Sequence, residues 1–390
     1  MVEWEVTTIS TEFDLFAGGD LLKDYFSRVK TNTHKYPIYA NALQKEGLYG
    51  YTSLPRYKGN SITITGRGDV GVAMYRATDF DAIVRLLVLL PKANNKADSR
   101  FTTYLIQTCV DFPMESTGVP QLTVPQIRDV ELTLPPLPEQ HRIAAVLSDT
   151  DNLITTLEKL IAKKKAIKQG AMQELLTGKR RLKGFGGEWE STTLGNILIG
   201  KPTYGINAPA CEYAVGLPQY IRITDITEDG CYSKDDVMFV NAINSDYYFL
   251  NNNDIVLART GASVGKSYLY NKKDGQLVFA GFLIKISIDA NKANSKYIFE
   301  CLHTKYYWDW VQMTSMRSGQ PGINSEQYAL FEILLPTLEE QTAIAEILSD
   351  MDVEIDKLTA KLNKYRQIKQ GMMSELLTGR IRLTEDVQNG

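Results

Sequence analysis

Residues 134–182 read LPPLPEQHRIAAVLSDTDNLITTLEKLIAKKKAIKQGAMQELLTGKRRL, and residues 335–383 read LPTLEEQTAIAEILSDMDVEIDKLTAKLNKYRQIKQGMMSELLTGRIRL. The two stretches align without a gap, and about half of their positions are identical, including Ile167-Lys168-Gln169-Gly170 against Ile368-Lys369-Gln370-Gly371. Solenoid repeats recur every 20–50 residues or so; a period of roughly 200 residues marks a duplicated domain unit instead. A chain built twice from one plan suits two partners, or two halves of one target.

The repeated stretch is patterned as helix. In the second copy apolar residues fall at Ile355, Leu358, Leu362, Tyr365, Ile368, Met372 and Leu376; in the first, at Ile154, Leu157, Ile161, Ile167, Ala171 and Leu175. Steps of three and four are the spacing of a coiled-coil seam. Each helix follows a proline-bearing turn (Leu134-Pro135-Pro136, Leu335-Pro336) and ends at Thr177-Gly178 or Thr378-Gly379, where glycine can adopt a left-handed C′ conformation. Ser148-Asp149 and Ser349-Asp350 either cap a second helix or lie inside one continuous helix. Two such helices, each following a globular region, are suited to packing on each other.

The regions ahead of the helices read as mixed α/β domains. Strands are expected at 36–40, 61–65, 70–76, 85–90 and 131–134 in the first, with a helix at 101–109. In the second, strands are expected at 219–226, 254–259, 266–270, 277–287 and 331–335, with a helix at 296–313. The fold class is therefore α+β: two mixed α/β domains separated by two long, paired helices. The boundaries are 1–135, 136–183, 184–336 and 337–390. Glu3-Trp4-Glu5 echoes Glu188-Trp189-Glu190, and Gly118-x-Pro120 echoes Gly319-x-Pro321, yet the domains otherwise differ almost completely. One frame with two surfaces implies one task on two targets.

Composition narrows the class. A length of 390 residues, 44% hydrophobic and 23% charged, is ordinary for a soluble protein of two to three domains. No apolar run approaches the roughly 18 residues of a membrane span, and Met1-Val2-Glu3-Trp4-Glu5 is unlike a signal peptide. Cys109, Cys211, Cys231 and Cys301 form no CxxC pair, and His34, His141 and His303 lie far apart. That points away from disulfides and zinc and towards the cytoplasm. A net charge of −3 leaves room for a local basic face, so distribution matters more than the total.

Catalytic motifs are missing. Gly261-Ala262-Ser263-Val264-Gly265-Lys266-Ser267 is one residue short of a phosphate loop and reads as a turn between two strands. Leu134-Pro135-Pro136-Leu137 lacks the Asn or Asp and the aromatic residue of an amino-methyltransferase tetrapeptide, and no serine or cysteine triad is visible. Polar aromatics and bases instead cluster where the domains diverge. The candidate DNA contacts are Lys35, Tyr36, Tyr39, Asn41, Lys45, Tyr57, Lys58 and Arg67 in the first domain. In the second they are Tyr204, Tyr220, Arg222, Thr224, Arg259, Thr260, Ser263, Lys266, Arg317, Gln320 and Asn324. Arg, Asn and Gln can pair with base edges, while Lys and Tyr can hold phosphates. Glycine-rich turns at 65–71 and 261–265 let backbone approach a phosphate closely; the bland reading is a pair of hairpin turns. Lys163-Lys164-Lys165, Lys168 and Lys179-Arg180-Arg181 form a further basic run that also reads as a solvated helix face.

The arrangement resembles the specificity subunit of Type I restriction–modification systems. The likeness rests on Leu134-Pro135-Pro136-Leu137-Pro138-Glu139-Gln140 with Glu174-Leu175-Leu176-Thr177-Gly178, and on their copies Leu335-Pro336-Thr337-Leu338-Glu339-Glu340-Gln341 and Glu375-Leu376-Leu377-Thr378-Gly379. Ala258-Arg259-Thr260-Gly261 through Lys266 and Gly319-Gln320-Pro321-Gly322-Ile323-Asn324 also look like that family's target-recognition domains, whereas Ser116 to Gln121 match only in part. The resemblance implies two domains that each read half of a bipartite, asymmetric site in double-stranded DNA. It also implies an antiparallel helical coiled coil as spacer, docking of two methyltransferase subunits, and motor-nuclease subunits that join them. S-adenosylmethionine would bind the methyltransferase partner and no cofactor would bind this chain, which would be non-catalytic. A coiled-coil adaptor without nucleic acid is the rival; a self-contained methyltransferase or nuclease is a second, opposed by the missing motifs.

Overall fold

The structure is a computed structural model that describes residues 3–112, 120–242, 245–316 and 320–384. By contacts the chain divides into Met1–Lys159 with Thr359–Gly390, and Leu160–Leu358. Each unit thus holds one domain and one half of each of two 39-residue helices, Leu137–Leu175 and Leu338–Leu376. Both helices run unbroken through Ser148-Asp149 and Ser349-Asp350, which settles that alternative in favour of a continuous helix.

In the first unit an antiparallel sheet orders Phe13–Ala17, Leu87–Pro91, Ser61–Ile64 and Ala73–Arg76. A second sheet orders Phe26–Ser27, Leu48–Thr52, Tyr36–Tyr39 and Asp81–Ala82, its last pair parallel. Glu5–Thr8 pairs with Glu131–Leu134 in a separate ribbon. Ile62, Ile64, Leu87 and Leu89 bury against Phe101 and Leu105 of the helix Ser99–Cys109. The same core takes Ile143 and Leu147 from the first long helix and Leu376 and Leu377 from the end of the second.

The second unit repeats the plan. Its sheets order Thr203–Tyr204, Leu283–Ser287, Asp254–Ala258, Ser267–Leu269, and Ala210–Cys211, Phe239–Val240, Gln219–Ile221, Leu277–Phe279, again with a parallel last pair. Glu190–Thr193 pairs with Glu332–Leu335. Ile255, Leu257, Ile284 and Ile286 pack on Tyr297 and Ile298, on Met172 and Leu175, and on Ile344 and Leu348.

Four expectations are corrected. The run 277–287 is two strands in different sheets, because a turn at 280–282 redirects an apolar stretch whose two parts both bury their apolar side chains. The strand from 219 ends at Ile221, where the Asp225 carboxylate reaches back to accept from Arg222 N around a single helical turn. The helix at 296–313 is two, Ser295–Cys301 and Lys305–Ser315, because the Thr304 hydroxyl accepts from Tyr307 N and starts a new helix. Ile167 and Ile368 are exposed, so they stand outside the seam that Leu157, Leu175, Ile355, Leu362 and Leu376 bury.

The repeated motif acquires a physical reading. Gln140 Nε2 donates to Pro135 O, and its Oε1 accepts from Asp98 N; Gln341 does the same with Pro336 O and Asn294 N. Asp98 and Asn294 in turn cap the next helix, accepting from Phe101 N and Tyr297 N. Glu139 pairs with Arg382 at 2.7 Å, and Glu340 pairs with Arg181 at 2.6 Å. The glutamate of each repeat therefore meets the arginine of the other. Gly379 (φ 71°) and Gly178 (φ 69°) end the helices in the left-handed conformation and lie against Trp4 and Trp189 respectively. Further pairs fix an antiparallel sense within each unit: Asp151–Lys369 and Glu158–Arg366 in the first, Lys164–Glu354 and Lys168–Asp352 in the second.

Glu139 is 3% exposed, and the hydrogen bonds from Arg382 hold its carboxyl below the ordinary 4.5. Arg382→Ala strands that buried charge and is expected to cost about 3 kcal/mol in urea unfolding, the low end for a broken buried pair because Arg382 is partly wet. The carboxylate's contribution is present above about pH 4.5 and is lost as pH falls through the lower folded value. Glu139→Gln should therefore flatten the acid limb of the stability curve. An Arg382→Ala protein as stable as the parent at pH 7 would show that the pair does not hold the unit together.

Candidate nucleic-acid interface

In each domain a glycine turn is stitched to the loop that precedes a short helix. In the first, Gly71 N donates to Thr65 O at 2.8 Å, Leu122 N donates to Gly66 O at 2.9 Å, and Arg67 bridges Gln121. In the second, Thr260 bridges Gly322, Gly261 N donates to Pro321 O at 3.1 Å, and Ile323 N donates to Arg259 O at 2.9 Å. The sequence-predicted turn and the Gln320–Asn324 loop are thus brought together. Main-chain bonds set this layout, which leaves the side chains free to differ between the two domains.

The candidate residues separate into groups. Lys35, Lys45 and Arg67 are exposed, with Lys35 Nζ 5.1 Å from the Tyr36 ring centre. Lys58 is exposed but pairs with Asp79 at 3.0 Å. Arg259 lies over the Tyr204 ring at 4.8 Å, and the Tyr204 hydroxyl accepts from Ser325 N. No carboxylate partners Arg259 among the described residues, and its Nε is buried without a hydrogen bond. Thr260 and Ser263 are half-buried in the turn, Gln320 is exposed beside it, and Thr224 is exposed with its hydroxyl on Asp225. Arg317 lies outside the described residues, as do Gly118, Gly319 and the stretch 116–119.

One assignment is corrected, and several other candidates are already engaged within the fold. Tyr220 is 3% exposed and donates to Ile206 O at 2.7 Å, so it belongs to the core. Arg222 is engaged by Asp225 and Asp236, and the hydrogen bonds it donates to Asp225 raise its pKa further. Asn41 spends both ends on backbone, donating to Val84 O and accepting from Gly66 N. Tyr39 lies under the Arg76 guanidinium, and Tyr57 stacks on Phe80 while burial raises its pKa. Lys266 is mostly covered and pairs with Glu228 at 2.7 Å. The Asn324 carbonyl oxygen caps a helix by accepting from Gln327 N at 2.8 Å. The basic run of the first long helix is largely spent on ion pairs too: Lys164 with Glu354, Lys165 with Asp229, Lys168 with Glu300 and Asp352, and Arg181 with Glu340.

Two exposed residues that the sequence reading passed over, Arg85 and Phe282, occupy a tight turn against the glycine turn in each domain. Arg85 O lies 3.1 Å from where a Cβ on Gly66 would sit, and Phe282 O accepts from Arg259 N at 3.1 Å. Only strand pairing brings these segments together, so no local pattern announces them. Among the described residues no cluster of three His, Cys, Asp or Glu side chains could hold a metal, and no helix is long and apolar enough to cross a membrane.

Residues 1–169 and 187–369 match the family described as Type I restriction modification DNA specificity domain. The chain belongs to this family. It is 26% identical, over 76% of its length and 73% of the relative's, to the Type I restriction enzyme MjaVIII specificity subunit of Methanocaldococcus jannaschii. Its fold aligns over 96% of both chains with the S subunit of a Type-I restriction-modification system from M. genitalium, at a TM-score of 0.67 and 17% identity. A chain from a structure of complex assembly and conformational transition in a type I R-M system aligns at a TM-score of 0.55 and 15% identity, over 96% of this chain and 97% of that one. The likeness read from the PLPEQ and ELLTG motifs is borne out, and with it a role in DNA sequence specificity.

Two substitutions check the engaged candidates. Asn324→Ala should cost about 1 kcal/mol of stability through the lost cap and weaken cognate and scrambled duplexes alike. Glu228→Ala should release the Lys266 ammonium and steepen the salt dependence of DNA binding by about one unit. A selective loss on cognate DNA for Asn324→Ala would restore it as a base reader.

Proposed function

We propose that this chain is the DNA-reading subunit of a Type I restriction–modification enzyme, recognising a two-part, asymmetric site with one half assigned to each domain. The observation that carries the reading is the repetition of one hydrogen-bonded frame, turn stitched to loop, with unlike side chains displayed on it. Two copies of one surface would suit a palindrome; two unlike surfaces suit two different half-sites. The paired helices act as the spacer and as the platform for two methyltransferase subunits, with motor-nuclease subunits joining that assembly in the cytoplasm. S-adenosylmethionine belongs to the methyltransferase partner, and this chain contributes recognition without chemistry. A coiled-coil adaptor without nucleic acid explains the helices but not the two diverged domains, and membership of a DNA specificity family weighs against it.

Replacing residues 1–135 with the corresponding domain of another family member should change one half-site and leave the other intact, as read by methylome sequencing of a host carrying the complete system. A change in both halves, or in neither, would remove the modular reading. Inserting four residues, about one turn, into both long helices after Lys159 and after Leu358 should lengthen the tolerated gap between half-sites. An active, folded insertion protein with an unaltered gap would mean that the helices do not set the distance.

A further inference from the structure

We propose that the tight turn abutting each glycine turn is the element that enters the DNA, presenting Arg85 in the first domain and Phe282 in the second. The inference rests on the reading that both domains bind DNA.

The first turn closes with Leu86 N donating to Ile83 O, yet it contains no glycine: Val84 stands at φ 55° and Arg85 at φ 59°. A β-branched residue in the left-handed region is a genuine outlier. Its conformation is imposed by neighbours, since Val84 N donates to Gly19 O, Arg85 N donates to Gly18 O, and Asn41 Nδ2 donates to Val84 O. Strain held this firmly is a hallmark of functional positions. What it accomplishes here is display. Val84 is 54% exposed, and Arg85 is exposed with no carboxylate partner among the described residues. Arg67 stands beside Gly66, against which Arg85 O packs, so two guanidinium groups with no carboxylate partner among the described residues flank one turn.

The second domain builds its turn differently and displays a different chemistry at the same place. Leu283 N donates to Ala280 O, Gly281 N donates to Ile206 O, and Phe282 is 58% exposed beside Arg259, which has no carboxylate partner among the described residues. A guanidinium carries five donors and no acceptor, which suits a phosphate or a guanine edge. An exposed phenyl ring at a turn tip is the kind of apolar wedge that unstacks a base step. One half-site is therefore gripped through charge and the other through apolar contact.

The test uses the full chain, a duplex carrying the site mapped by methylome sequencing, and two duplexes with one half scrambled. Arg85→Ala should weaken cognate binding about tenfold and lower the salt slope by about one unit. Phe282→Ala should weaken it by a similar factor with the slope unchanged, and a 2-aminopurine in the second half-site should lose its fluorescence gain on binding. Val84→Gly suits the backbone and keeps Arg85, and should melt no lower than the parent. Normal affinity for both alanine variants, in proteins that melt like the parent, overturns the proposal; normal affinity for one overturns it for that domain. A parent chain that does not separate cognate from scrambled DNA would instead sink the underlying reading, and this inference with it.

Discussion

A carboxylate with almost no access to water must find a cation, and in this chain it finds one in the other repeat. Glu139 is met by Arg382, and Glu340 is met by Arg181. Leaving either unpaired would bury a bare charge, so neither unit is complete without residues from both repeats. The glutamine next to each glutamate extends the constraint by holding the proline turn and the cap of the helix Ser99–Cys109 or Ser295–Cys301 in one set of bonds. Trp4 and Trp189 close the other side, each under the arginine and against the left-handed glycine.

This frame tolerates variation where it is not itself engaged. Lys369 contacts Asp151 beside the Tyr104 hydroxyl, and Lys168 contacts Asp352 beside Glu300, so the helices offer one Asp–Lys pair to either a phenol or a carboxyl. Burial raises the pKa of Glu300, with Lys168 pulling it back; for Lys168 burial works the other way and is outweighed by its two acids. At the candidate interface, turn and loop are joined by main-chain atoms, so side chains there can change without loosening the joint.

Much of the frame was legible in the sequence because it is written in local periodicity and repeated words. The strand at Glu131–Leu134, the helix that closes at Cys109, and both long helices follow from apolar spacing and caps. Even Glu3-Trp4-Glu5 and Glu188-Trp189-Glu190 had visible meaning as a pair before the rings were seen against their glycines. The candidate interface was less legible. Tyr220 and Tyr204 have the same composition signal, but one lies in the core with its hydroxyl on backbone and the other supports Arg259. Lys266 and Arg222 look like free cations until the fold brings Glu228 and Asp236 to them. Arg85 and Phe282 carry no pattern at all, since strand pairing alone sets their surroundings.

The way the units are assembled along the chain also sets an order of birth. The unit Leu160–Leu358 is one uninterrupted stretch, whereas the other needs Met1–Lys159 together with residues from Thr359 onwards. On a ribosome adding about 5–20 residues each second, Glu139 emerges roughly 10–50 s before Arg382 can reach it. The earlier domain must wait, its buried acid unmet, while the later one already has every residue it needs. The pairing of Glu139 with Arg382 can therefore form only after the whole of Leu160–Leu358 has been made.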